Sequence, residues 1–167
     1  MSLFHPKLML FNIYKIKTDT LRENNIKAVV FDIDNTLAYN HEEKPSDKTV
    51  DFIKKLTKEN FKVIIASNNN ENRVRKFCEN MDVLYVHKAN KPLGKKISLL
   101  LDKIGIDKKN AALVGDQIFT DVLCANLMGM CSILVKPFDD NENKFIKFKR
   151  KIENLFIKWQ GDYENGN

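Results

Sequence analysis

Short apolar, β-branched runs alternate along the chain with stretches whose apolar residues return every three or four positions. The runs fall at 27–33 (KAVVFDI), 61–67 (FKVIIAS), 83–86, 111–115 (AALVG) and 132–135 (SILV). They are continuously apolar rather than alternating, the pattern of strands covered on both faces. The intervening stretches read as helices. Residues 47–59 place Val50, Ile53 and Leu56 on one face, with Ser46 or Asp47 available to cap the start. Residues 71–80 carry Val74 and Phe77. Residues 93–104 carry Ile97, Leu100, Leu101 and Ile104 and stop at Gly105, and 119–128 stop at Gly129. Alternating strands and helices predict an α/β fold, a five-stranded parallel sheet with helices on both faces. Ligands of such sheets bind beyond the carboxyl ends of the strands. Polar residues that follow the strands are therefore the candidates for chemistry.

Four polar clusters stand at those ends. Asp32-Ile33-Asp34-Asn35-Thr36 closes the first strand. A strand followed by a turn lets the two aspartates converge. One carboxylate can attack phosphorus and form an acyl-phosphate. A second, two residues on, can protonate the leaving oxygen and later activate water. The same residues also suit a turn in which Asp and Asn cap the next segment. Ser67-Asn68-Asn69-Asn70 offers phosphate a hydroxyl and backbone N–H groups where a helix begins, or serves only as an N-cap. Lys91-Pro92 supplies a cation able to neutralise the nucleophile and the transferring phosphoryl group. Lys88, Lys95 and Lys96 lie close by, so chemistry alone does not choose among them, while Pro92 suits the first position of a helix. Gly115-Asp116-Gln117, with Thr120-Asp121 after it, brings a carboxylate able to share Mg²⁺ with Asp32. Asp121 also fits as a helix-start carboxylate favoured by the dipole. Taken together, the clusters make up the parts of a phosphoryl-transfer site: nucleophile, acid–base, phosphate clamp, counter-charge and metal ligands.

Composition narrows the setting. A chain of 167 residues, 43% apolar, suits one globular domain over 1–167, with its core at 26–136, an N-terminal segment at 1–25 and a basic helix at 142–159. No apolar run is long enough to cross a bilayer. Residues 1–14 lack the continuous apolar stretch and cleavage site of a signal peptide, so a cytoplasmic location is expected. Cys78, Cys124 and Cys131 are odd in number and without zinc-type spacing, which suits buried, reduced thiols. The net charge of +6 favours anionic partners without choosing among them. His5, His41 and His87 fall on none of the strand-end clusters, so ligand roles are not expected of them.

As a set, FDIDNTL, ASNN, KP and GDQIFTD resemble the motifs of the haloacid dehalogenase (HAD) superfamily of phosphohydrolases, over residues 27–135. That resemblance implies a three-layer Rossmann-like core with the first strand central. It implies Asp32 as nucleophile, Asp34 as general acid–base and Lys91 as the stabilising cation. Thr36, Ser67, Asn68 and Lys91 would bind substrate. Mg²⁺ would be held by Asp32, Asp116 and the backbone carbonyl of Asp34, with Asp121 in support. The longer strings DIDNTL, SNNNENRV, KANKPLGK and GDQIFTDV resemble the bacterial YqeG family of class IIIA phosphatases. That family is similar to the mitochondrial and plastid phosphatidylglycerophosphate phosphatases. The narrower resemblance implies phosphatidylglycerophosphate as substrate and phosphatidylglycerol as product.

Segments 36–61 and 70–91 leave no room for an inserted cap domain. An uncapped site excludes water less well but admits a bulky substrate, and it suits a free small metabolite less. Phe145, Phe148, Ile152, Leu155 and Trp159 recur at helical spacing among Lys144, Lys147, Lys149, Arg150, Lys151 and Lys158. Such a helix lies on an anionic membrane, here at its inner face, or packs on the core with a solvated basic face. Phe4, Leu8, Met9, Leu10, Phe11 and Ile13 are open in the same way: core or lipid contact. The expected partner is a phosphorylated lipid rather than nucleic acid. The alternatives are a phosphoprotein or nucleic-acid 3′-phosphate as substrate, or a non-catalytic phosphate-binding module.

Overall fold

The computed structural model describes residues 3–40, 42–138 and 152–153. Its strands are β1 (Leu8–Leu10), β2 (Ala28–Phe31), β3 (Lys62–Ala66), β4 (Leu84–Val86), β5 (Ala111–Gly115) and β6 (Cys131–Val135). They form one parallel sheet in the order β1-β6-β5-β2-β3-β4, which leaves β2 in the middle. The sheet has six strands rather than the five expected. The sixth, β1, pairs Leu8 with Ile133 at the edge. Its three residues, Leu-Met-Leu, are too few and carry no β-branched side chain, so no strand pattern marks them.

Period-two alternation divides the core between the faces of the sheet. Val29, Phe31, Val63, Ile65, Ala112 and Val114 join one cluster with Leu21, Ile53, Leu56, Val74 and Phe77. Those last five come from α1 (Thr18–Glu23), α2 (Asp47–Lys58) and α3 (Glu71–Cys78). Ala28, Val30, Ile64, Ala66, Ala111 and Leu113 join the opposite cluster with Ile97 and Leu101 of α4 (Lys95–Lys103) and Cys124 and Ala125 of α5 (Leu123–Leu127). Burial on both sides explains why β2, β3, β5 and β6 read as continuous apolar runs, whereas β4 leaves Leu84 and Tyr85 exposed. The N-terminal segment belongs to this core: Leu10, Ile13, Ile16 and Leu21 are buried in the first cluster, which moves the core boundary from 26 to the β1 region. Phe4 meets Phe119 edge-on, with ring centroids 5.5 Å apart, while Phe11 stays exposed.

Helix ends follow local chemistry. Ser46, not Asp47, caps α2: its Oγ accepts the Thr49 N–H at 3.2 Å. Gly105 and Gly129 adopt φ of +70°, the left-handed conformation that stops α4 and α5. The helix expected from 93 begins only at Lys95, after Gly94 at φ +59°. Pro92 follows a cis peptide bond in the preceding turn, so it does not occupy the first helical position. The helix expected at 119–128 opens instead with a π-helical turn, Ile118–Val122, and continues as α5.

The basic helix expected at 142–159 lies outside the described residues, apart from Ile152 and Glu153. Glu153 is buried, and its Oε1 accepts the Phe119 N–H at 3.1 Å. Among the described residues, no helix is long and apolar enough to cross a membrane. The connection from β2 to α2 holds no inserted domain, and α3 alone stands between β3 and β4.

Candidate active site

β2 and β5 run side by side in register, with Phe31 opposite Val114. The residues that follow them, Asp32 and Asp116, therefore leave the sheet together. The Asp32 N–H donates to Val114 O at 3.0 Å and fixes the exit of the chain. A tight turn then brings Asp34 back: Asn35 adopts φ +61° and its N–H donates to Ala38 O at 2.8 Å. Asn tolerates that left-handed conformation better than most residues. Ser67 follows β3 and is tied to β4 through Val86 O at 3.0 Å. Asn68 accepts the Lys91 N–H at 2.9 Å and donates to Lys91 O at 3.4 Å, which clamps the lysine loop against the Ser67 strand end.

That clamp decides which lysine enters the site. Lys91 Nζ donates to Asp32 Oδ1 and to Asp121 Oδ1, each at 2.6 Å, and its side chain is 3% exposed. Burial alone would lower the ammonium's pKa, but the charges of Asp121 and Asp32 outweigh burial and raise it. At Asp32 burial prevails instead. Burial raises its carboxyl to about 8, aided by repulsion from Asp121 and Asp116 and opposed by Lys91. Asp121 holds Lys91 through Oδ1, and its Oδ2 accepts the Gln117 N–H at 3.2 Å, where the π turn starts. Gly115 makes this packing possible, since a Cβ there would lie 2.2 Å from Asp121 Cγ.

Ligand oxygens of Asp32, Asp116 and Asp121 lie within 4.8 Å of one another, and all three residues are buried. An all-carboxylate set suits a hard divalent cation such as Mg²⁺ rather than one that selects nitrogen or sulfur. One ammonium among three carboxylates also leaves a charge deficit that a cation would offset. The donors therefore fit the ion that the sequence implies.

Beside this cluster opens a cavity of about 520 Å³, lined by Asp32, Asp34, Ser67, Asn68 and Lys91 among others. Five of the sequence-derived site residues thus share one concave surface, and Asp116 and Asp121 stand behind Asp32. Thr36 is placed differently from the expectation that it binds substrate. It is buried, it does not line the cavity, and its Oγ1 donates to Asp116 Oδ1 at 3.3 Å. The early turn after β2 faces it towards the β5 end, where it orients a carboxylate. Two further residues carry functional contacts that sequence reasoning did not assign. Asn69 Nδ2 donates to Asp34 Oδ2, and Arg73 Nη2 donates to Asp34 Oδ1 at 3.2 Å. The available signal was position: Asn69 belongs to the second cluster, and Arg73 sits in the first turn of the helix that follows it.

Fold and site together define a phosphatase of the haloacid dehalogenase type. Residues 1–137 match the family model described as mitochondrial PGP phosphatase, and the chain belongs to that family. It is 33% identical over 154 residues to the probable phosphatase YqeG of Bacillus subtilis, covering 92% of this chain and 90% of that protein. It is 30% identical over 147 residues to the mitochondrial phosphatidylglycerophosphatase GEP4 of Saccharomyces cerevisiae, covering 79% of each. Among solved structures it resembles 3-deoxy-D-manno-octulosonate 8-phosphate phosphatase from Moraxella catarrhalis, in complex with magnesium, phosphate and KDO. The TM-score is 0.53 at 14% identity, covering 86% of this chain and 94% of that one, a likeness of fold.

Proposed function

We propose that the protein is a Mg²⁺-dependent phosphomonoesterase that converts phosphatidylglycerophosphate to phosphatidylglycerol through an aspartyl-phosphate on Asp32. The observation that carries this reading is Lys91 Nζ at 2.6 Å from both Asp32 and Asp121, within a buried acidic cluster whose Asp32 lines the cavity. Asp32 attacks phosphorus, and the bond to the leaving oxygen breaks as the new O–P bond forms. Asp34, whose side chain is 26% exposed on the cavity wall, gives the leaving oxygen its proton. It then takes a proton from the water that attacks the acyl-phosphate and releases inorganic phosphate. Ser67 and Asn68 hold the phosphoryl oxygens, and Lys91 orients Asp32 and offsets charge. Asp32, Asp116 and the Asp34 carbonyl would hold Mg²⁺, with Asp121 in support. When bound, the ion supplies electrostatic stabilisation of the phosphoryl oxygens.

Two observations support a lipid substrate: a matched relative is a phosphatidylglycerophosphatase, and no inserted domain narrows the site among the described residues. The net charge of +6 suits work at an anionic membrane face, in our reading the cytoplasmic one. The test is phosphate release from phosphatidylglycerophosphate in mixed micelles, against sugar phosphates, nucleotides and a phosphopeptide, with and without Mg²⁺. We expect Mg²⁺-dependent release with the lipid preferred, and a loss of about 1,000-fold or more in Asp32→Asn. Full activity of that variant would refute the nucleophile, and preference for a sugar phosphate would refute the lipid.

A further inference from the structure

Among the described residues that line the cavity, two carry a permanent positive charge, Lys91 and Arg73. Lys91 is committed to Asp32 and Asp121. Arg73 is not fully used. Its Nη2 donates to Asp34 Oδ1 at 3.2 Å, but its Nη1 is buried with no hydrogen-bond partner. The guanidinium is braced, with Cζ 5.9 Å from the centroid of the Phe77 ring, and the side chain is 17% exposed. The exposed part of the side chain lies on the cavity wall, where a guanidinium favours a ligand that brings it an anion.

The location of this donor specifies the ligand. The transferring phosphoryl group faces Asp32, Ser67 and Lys91. Asp34 faces the leaving oxygen, so a group bonded to Asp34 from the cavity wall stands on the leaving-group side. The planar fork of an arginine matches paired phosphate oxygens. Resting on the phosphatase reading above, we propose that Arg73 is a specificity determinant. It binds a second anion on the leaving alcohol, a phosphodiester one three-carbon spacer from the scissile phosphate, as in the headgroup of a glycerophospholipid phosphate. The part of the guanidinium exposed on the cavity wall engages the diester while Nη2 keeps Asp34 in place. A phosphomonoester with an uncharged alcohol brings no such anion.

The experiment uses soluble substrates, so that bilayer binding plays no part. kcat and KM are measured with Mg²⁺ for deacylated phosphatidylglycerophosphate, whose alcohol carries the phosphodiester, and for glycerol 3-phosphate, whose alcohol is neutral. We expect the native chain to favour the diester-bearing substrate by about 10- to 100-fold in kcat/KM. Arg73→Gln brings that ratio close to unity, chiefly through KM of the diester-bearing substrate. Arg73→Lys, which keeps the charge and loses the fork, gives an intermediate ratio; it also serves as the readout if Arg73→Gln does not fold. A residue that only positioned Asp34 would lower kcat on both substrates alike and leave the ratio unchanged, and that result overturns the proposal. Equal kcat/KM of the native chain for the two substrates overturns it as well. These failures leave lipid turnover intact, whereas failure of the phosphatidylglycerophosphatase reading appears as native activity confined to other phosphate esters, and the inference then falls with it.

Discussion

At the scale of single residues, Lys91 does the most electrostatic work. It is flanked by two carboxylates at 2.6 Å and has a third, Asp116, in the same cluster. Removing one partner of a buried ion pair leaves charge without compensation. Lys91→Met is therefore expected to destabilise the metal-free protein by about 3–5 kcal/mol in urea unfolding and to abolish phosphatase activity. Mg²⁺ should restore part of the stability, since it supplies the lost positive charge, but not the activity. Sequence could nominate Lys91 but not separate it from its neighbours. Lys96 points to the surface, donating to His87 O at 3.0 Å. The selection is made by Asn68, which grips the backbone of Lys91 from another strand end. Such contacts join residues 23 apart and leave no local pattern. The same holds for Thr36 and Arg73, whose partners Asp116 and Asp34 lie 80 and 39 positions away.

At the scale of elements, β2, β3 and β5 were legible because both their faces are buried, so composition alone marks them, while β4, which leads to Lys91, exposes Leu84 and Tyr85 and carries a weaker pattern. β1 escaped because it is short and sits at an edge. The irregular turn before α5 escaped because hydrophobic spacing does not distinguish a π turn from an α-helix. Strand ends also carry steric requirements that motifs record without explaining. Gly115 is such a case: a methyl group there would overlap the Asp121 side chain, with Cβ 2.4 Å away as well as Cγ at 2.2 Å. Gly115→Ala should push Asp121 off Lys91, cost about 1–3 kcal/mol from overpacking and lower kcat, read by thermal melting and phosphate release. Ser46→Ala probes an element remote from chemistry. It removes the N-cap of α2 and should cost about 1 kcal/mol in unfolding free energy with little change in kcat. A large fall in kcat would show that α2 supports the site more directly than its packing suggests.

At the scale of the whole molecule, the parallel sheet gathers like charges at the carboxyl ends of its central strands and bears the free-energy consequence of doing so. The Asp32 carboxyl, ordinarily near 3.8, is raised to about 8 by burial and by its acidic neighbours. The folded state therefore holds this proton more tightly than the unfolded chain. The stability contributed by the protonated group is complete below pH 3.8 and is lost as pH rises towards 8. Mg²⁺ competes with that proton, because a carboxylate must be ionised to bind a metal. Metal stabilisation should accordingly run against the intrinsic trend. Thermal melting in about 10 mM Mg²⁺ should raise Tm by about 3 °C or more at pH 8 and much less at pH 5.5. An equal shift at both values would contradict a cation seated on Asp32. Asp116→Asn separates the causes: it removes a ligand and one repulsive charge together. That variant should lose the Mg²⁺-dependent shift, yet melt higher than the native chain at pH 8 without metal. A gain in stability coupled to loss of the metal response follows only if the carboxylates are held together for the cation and against their own repulsion.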